Sequence, residues 1–334
     1  MSENEIDIVI TWVDNKDPKW INEYEQYAGR KKDRIRFEDL NTLKYIFRGV
    51  EKFMPWVRKV HFVTYGHYPL WLNLNHPKLN LVKHEDIFPD IEVLPIFNSR
   101  AIEMNFHFIN GLSNQFIYFN DDTFVTKALS PKYFFTNNLP NDFFSVRSLS
   151  HDGVFSHGLH ADMQIINKEV EKDHSFKKLL LNTLTLKYGL KKLVKSFLLM
   201  LLSKQIPLFA LNHYPQAHLK SNFVEVEESY PDIVKRTRAM RFRAPEAINQ
   251  YVFRFWGLIK GKYHPKINND TYYISVKDLD MLQVKIQELK NNLDPALVCF
   301  GEEEGFPVEK YNDYKNILID YFEELLPEKS LWEK

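Results

Sequence analysis

Residues 6–14 read Ile6-Asp7-Ile8-Val9-Ile10-Thr11-Trp12-Val13-Asp14, and residues 116–122 read Phe116-Ile117-Tyr118-Phe119-Asn120-Asp121-Asp122. Each is a β-branched or aromatic run that ends in carboxylates. Such runs predict strands buried on both faces, the habit of parallel sheets. Their acids then lie just beyond the carboxyl ends, where ligands bind in open α/β sheets. Between the two runs the pattern alternates. Leu40, Leu43, Phe47, Val50 and Phe53 recur at helical spacing behind Asp39, which stands where an N-cap would, and predict a helix over 40–53. Residues 57–64 read as a strand closed by Gly66, 79–82 as a short strand and 99–109 as a second helix. The first 125 residues therefore predict a mainly parallel α/β sheet with Asp14 and the Asn120–Asp122 cluster facing one crevice.

The chain has 334 residues, 44% of them hydrophobic and 15% aromatic, with 44 basic and 44 acidic side chains. That mixture excludes the low-hydrophobicity, high-charge signature of disorder. A formal net charge of zero gives no reason to expect nucleic acid as a partner. Cys299 is the only cysteine, so no intrachain disulfide can form and a reducing cytoplasm is the expected location. The start, Met1-Ser2-Glu3-Asn4-Glu5, lacks the basic and apolar pattern of an export signal. The longest apolar run, 197–202, is far shorter than the roughly 20 residues of a spanning helix.

Charge is uneven locally. From His174 through Val224 there is no Asp or Glu, while eight lysines lie among many leucines. Two readings stand: core-packed helices with a solvated lysine face, or peripheral contact with an anionic membrane surface. Beyond Arg243 the chain reads as helical segments punctuated by Pro265, the 268–270 turn and Pro307.

Three clusters carry chemistry. Asp121 and Asp122 offer hard oxygen ligands for Mg²⁺ or Mn²⁺, although Asn and Asp also close strands as turn residues. The stretch Asn212-His213-Tyr214-Pro215-Gln216-Ala217-His218-Leu219-Lys220 offers two histidines and a lysine for a general base and phosphate contacts near neutral pH. The basic run 235–243 ends in Arg241-Phe242-Arg243, guanidinium groups suited to phosphate or to a solvated helix face.

Taken in order, IDIVITWVD, RFEDLNTLKY, VLPIFNSRAIE, FIYFNDDTF, the His-Tyr-Pro-Gln to Arg-Phe-Arg block and the terminal Leu-Pro-Glu-Lys-Ser-Leu-Trp-Glu-Lys resemble the Stealth family of sugar-1-phosphate transferases. The likeness covers 6–20, 34–127, 211–244 and the last nine residues. It implies a nucleotide-sugar transferase fold, Rossmann-like or GT-A-like, with a helical insertion and a C-terminal helical region. The implied organisation is a nucleotide-sugar-binding core over 1–150, a basic helical insertion over 151–210, and a His/Arg block with a C-terminal region packed on the core over 211–334. The same resemblance makes Asp122, His213 and Arg243 catalytic. It places Asp14, Arg36, Asn41, Arg48, Asn98, His218 and Arg241 toward the donor, and Asp121 with Asp122 at the metal. Two departures stand out. Arg36-Phe37-Glu38-Asp39 replaces the usual Arg-Phe-Arg-Asp, and Asn98-Ser99-Arg100 replaces the Asn-Ser-His of many bacterial relatives.

The implied reaction moves a hexose-1-phosphate or N-acetylhexosamine-1-phosphate from a UDP-sugar to a lipid-linked oligosaccharide acceptor and releases UMP. Two alternatives remain open on sequence alone: a metal-dependent glycosyltransferase that releases UDP, and a non-catalytic carbohydrate-binding or polysaccharide-assembly protein.

Overall fold

Strand β1 (Ile6–Thr11) sits at the centre of a five-stranded sheet and explains most of what surrounds it. It pairs in parallel with β2 (Val60–Thr64) on one edge, Ile8 opposite Val60, and with β4 (Gln115–Phe119) on the other, Ile8 opposite Ile117. Strand β3 (Leu79–Lys83) continues the parallel run beyond β2, and the Gln216–Leu219 strand closes the far edge antiparallel to β4. The computed structural model describes residues 5–29, 31, 39–148, 153–211, 214–291, 295–303 and 306–334.

Side chains alternate across a strand, and β1 divides the core accordingly. Helix α1 (Pro18–Ala28) follows β1, and Ile6, Ile8 and Ile10 join one cluster with helix α2 (Leu43–Phe53) and the C-terminal helix Tyr311–Leu325. Val9 joins the other, built with the helices Gly153–Lys172 and Tyr251–Ile259. Residues from all three stretches, 1–150, 151–210 and 211–334, contribute to the second cluster. Asp7 is the exception inside this strand. It is fully buried and accepts hydrogen bonds from His61 Nε2 (3.0 Å), Arg58 Nε (2.8 Å) and the Ser113 amide (2.8 Å). Asn80 donates to the other ring nitrogen of His61 and so leaves the proton on Nε2. Burial alone would push the Asp7 carboxyl up, but these bonds outweigh it and hold its pKa below the ordinary value.

Several boundaries differ from the sequence reading. Helix α2 starts at Leu43, and Asp39 instead accepts the Asn41 amide at 2.8 Å, with Asn41 at φ 56°. The strand read over 57–64 pairs only from Val60. The helix read over 99–109 breaks into an α-helical Ser99–Glu103 and a 3₁₀ turn Phe106–Phe108, where the Asn105 amide donates to Ala101 O (2.7 Å). The C-terminal region carries its helices, and also two strands: Thr271–Val276 and Leu297–Glu302 run parallel around the helix Leu279–Asn291. The second of these pairs antiparallel with β5 (Thr123–Val125), directly after the acidic cluster. Gly49 of α2 packs against β5 so closely that a Cβ there would lie 2.9 Å from Val125 O.

Arg48, expected at the donor, has a different employment. Its buried guanidinium makes a two-pronged contact with Glu333, 2.7 and 2.9 Å, and donates to Leu326 O at 2.7 Å and to Glu323 at 3.3 Å. It therefore fastens the last residues of the chain to α2, where Trp332 stacks on His76 with ring centres 3.7 Å apart. Glu333 is 4% exposed and Glu323 is 42% exposed, so the two carboxylates differ in value. Removing one partner of a buried pair strands the other charge and costs about 3–5 kcal/mol, whereas an exposed partner contributes about 0–1 kcal/mol. Chemical denaturation should show Glu333→Ala losing stability in the first range and Glu323→Ala in the second.

Candidate active site

The carboxyl ends of β1 and β4 open onto a cavity of about 360 Å³. Thr11, Trp12 and Val13 line it from β1, and Asn120, Asp121 and Asp122 from β4. Parallel pairing at Ile10 and Phe119 brings these ends side by side. The Asp122 backbone is fixed from outside, its carbonyl accepting the Phe300 amide at 3.0 Å, while its carboxylate accepts the Thr123 hydroxyl at 3.0 Å.

Arg243 lines the same cavity, an exposed residue whose Nη2 donates to Ser99 Oγ at 3.0 Å. It is held there by Asn98. The Asn98 side chain is buried, caps the Ser99–Glu103 helix by accepting the Arg100 amide, and donates to Met240 O (3.0 Å) and Phe242 O (3.3 Å). A backbone bond from Phe97 N to Arg241 O (2.9 Å) completes the attachment. Arg241 itself packs over the Tyr27 ring, 4.5 Å from its centre, rather than lining the cavity.

The cavity also holds a group that sequence reading missed. Glu103 lines the cavity, accepts the Tyr118 hydroxyl (3.2 Å) and the Gln250 amide (3.2 Å), and is 7% exposed. Burial pushes its pKa above the ordinary carboxylate value, against the Gln250 hydrogen bond and the charges of Arg243 and Arg100. Asp162 on the Gly153–Lys172 helix is fully buried behind it and accepts the Asn249 amide at 2.9 Å. Burial drives its pKa well above the ordinary value too. Glu103 ends the family-like stretch Val93–Glu103, yet nothing in its spacing marks it as facing a cavity.

The other expected positions are placed as follows. Asp14 follows the three lining residues after β1 and is not among them; its backbone amide donates to His67 Nε2 (2.7 Å). Asn41 is exposed on the loop before α2 and, like Arg48, does not line the cavity. His218 does not reach it either. Its imidazole is buried between Phe116 and Phe223, donates to Gln250 Oε1 at 2.9 Å, and is driven by burial to a pKa of about 3, so it is neutral. It touches the cavity through Gln250, which does line the wall. Arg36 and His213 lie outside the described residues.

Arg100, the departure from the usual Asn-Ser-His, also lines the cavity. Its buried guanidinium donates to Ala244 O (3.3 Å) and Ala247 O (3.2 Å), just after Arg243. Burial, then the Arg243 charge, lower its pKa. The space it fills exists because residue 158 is glycine: a Cβ there would lie 2.6 Å from the guanidinium carbon. Gly158→Ala should displace Arg100, loosen the 243–247 segment and lower turnover about tenfold while the global fold survives, since small misplacements of a positioned charge are expensive in rate. Steady-state kinetics beside a thermal melt checks this.

Comparison with known proteins places the chain in a family. Residues 4–32 match the family description "Stealth protein CR1, conserved region 1", and 36–143 match "Stealth protein CR2, conserved region 2". The chain is similar to the capsular polysaccharide phosphotransferase WcwK of Streptococcus pneumoniae, 37% identical over 99% of this chain and 98% of that protein. It is also similar to the receptor polysaccharide phosphotransferase WefC of Streptococcus oralis, 33% identical over 99% of each. Among solved structures, the galactosyltransferase LgtC overlays with a TM-score of 0.39 at 11% identity, over 93% of this chain and 95% of that one. The fold above stands on its own strand order rather than on that overlay. Full-length identity to these relatives, together with both matched regions, establishes that the chain belongs to the Stealth family of polysaccharide phosphotransferases.

Proposed function

We propose that the protein transfers a hexose-1-phosphate or N-acetylhexosamine-1-phosphate from a UDP-sugar to a hydroxyl of a growing, lipid-linked cell-surface polysaccharide at the inner face of the cytoplasmic membrane. The observation that carries this reading is the cavity at the sheet edge, lined by Asp121, Asp122 and Arg243 together. It suits a diphosphate better than a neutral sugar. The acceptor oxygen forms a bond to the phosphorus nearest the sugar, the bond from that phosphorus to the bridging oxygen breaks, and the electron pair leaves on UMP. The hydroxyl proton must go to a base.

Phosphoryl transfer of this kind is catalysed mainly by positioning and by neutralising charge on the phosphate oxygens. Arg243 supplies that charge, with Asn98 and Arg100 holding it. Among the described residues no group of three or more metal-ligating side chains occurs. Mg²⁺ is nevertheless commonly bound by one or two carboxylates together with substrate phosphates, and adjacent Asp121 and Asp122 fit that partial set. Bound there, Mg²⁺ or Mn²⁺ would polarise the diphosphate.

For the proton there are two acceptors. His213 is implied by the family motif, and its sequence neighbour Tyr214 lines a small recess with Tyr118, Asn120 and Tyr251. Glu103 faces the cavity with a raised pKa. A base works only when deprotonated, so activity through Glu103 would be lost as pH falls through a midpoint above the usual carboxylate range. Glu103→Gln should then lower kcat by about 10²–10⁴ and remove that acid limb from the pH profile. An unchanged limb with a similar loss in His213→Ala assigns the proton to His213.

Asp122→Asn and Arg243→Ala should each lower transfer by about 10²–10³ without shifting the thermal melt; near-normal turnover in either withdraws that residue's role. Chelation by EDTA should abolish transfer and added Mg²⁺ or Mn²⁺ restore it, with full activity in chelator removing the metal from the scheme.

A further inference from the structure

The 181–202 segment holds eight of the twenty exposed large hydrophobic side chains found among the described residues. Most of them lie on the helix Leu190–Ser203. That helix is apolar on two faces. Its inner face is satisfied: Met200 and Ser196 are buried, and the Ser196 hydroxyl accepts the Val146 amide at 3.0 Å. Its outer face carries Leu190, Val194, Leu198, Leu201 and Leu202, all 46% or more exposed. Positions i, i+4, i+8, i+11 and i+12 fall within one stripe of an α-helix. The stripe is therefore a continuous outward apolar surface on a helix already anchored by its other side, and not a displaced core face.

Charge decides what covers it. Lys187, Lys191, Lys192 and Lys195 are exposed along the same stretch, Lys177 and Lys178 precede it on the helix Phe176–Asn182 and Lys204 follows it, with no acid from His174 through Val224. A second copy of this chain would bring like charges together. An anionic bilayer accepts both features, apolar side chains among the acyl chains and lysines among the headgroups. Among the described residues no helix is long and apolar enough to cross a membrane, so the contact is in the interface plane. The geometry points to the outer face of the Leu190–Ser203 helix as a docking surface for an anionic lipid bilayer. This goes beyond the transfer reaction and is independent of it.

The test uses the full chain and vesicles of phosphatidylcholine with and without phosphatidylglycerol, with no donor present. Cosedimentation should occur with the anionic vesicles and weaken with salt. Leu190→Ser/Leu198→Ser/Leu202→Ser and, separately, Lys191→Glu/Lys195→Glu should each reduce it about tenfold or more, since one lysine near such a surface is worth roughly fivefold in affinity. Thermal melts of both variants should match the parent, because every changed side chain is exposed. Absence of binding to anionic vesicles, or binding that neither variant weakens, overturns the proposal. So does a dimer in sedimentation equilibrium that the triple-leucine variant dissociates.

Discussion

Parallel pairing of β1 on both edges is the constraint from which the rest follows. With Ile8 opposite Val60 on one side and Ile117 on the other, the strand is hydrogen-bonded along both edges and covered on both faces, so its register has no freedom to slip. A shift of one residue would turn Ile6, Ile8 and Ile10 toward the wrong cluster and expel Asp7 from its three donors. Because register fixes where each strand ends, it also fixes that Thr11–Val13 and Asn120–Asp122 open onto the same cavity.

The cavity is completed by chain that arrives from far away. Asn98 reaches 142 and 144 residues along the sequence to hold Met240 and Phe242, and Arg100 holds Ala244 and Ala247. These are neutral carbonyl acceptors, so the arginine charges are left to be answered by Glu103, Asp162 and a ligand. Burial raises the pKa of both acids. Two arginines and the adjacent carboxylates Asp121 and Asp122 around one cavity are the groups expected around a bound diphosphate and its cation. The same cavity meets a second one, of about 580 Å³, at His84, whose imidazole burial keeps neutral with a pKa of about 3.

What could be read from sequence follows a physical division. Periodicity reports the direction a side chain faces, so β1, β4 and helix α2 were legible, whereas Arg243 was set beside Asp122 only through the family resemblance. Periodicity does not report depth. Asn98, Arg48 and His218 carry residue types suited to a ligand, yet their polar atoms are spent on Met240 and Phe242 carbonyls, on Glu333, and on Gln250. Each partner is 32 or more residues distant, beyond any local pattern. Glu103 fails in the opposite sense: an ordinary acid at a helix end becomes part of the cavity only because Tyr118 and Gln250 are brought to it. The strands Thr271–Val276 and Leu297–Glu302 were also hidden, although Tyr272, Tyr273, Ile274 and Val276 are good strand formers, because neither pairs with its neighbour in sequence except across a whole helix.

The central claim is that phosphorus travels with the sugar. The most direct measurement incubates the protein with a divalent cation, a membrane acceptor extract and a UDP-sugar labelled in the phosphate nearest the sugar, and follows the label. Label in the polysaccharide with unlabelled UMP in solution is the predicted result. Label released as UDP would contradict it and make the enzyme a glycosyltransferase.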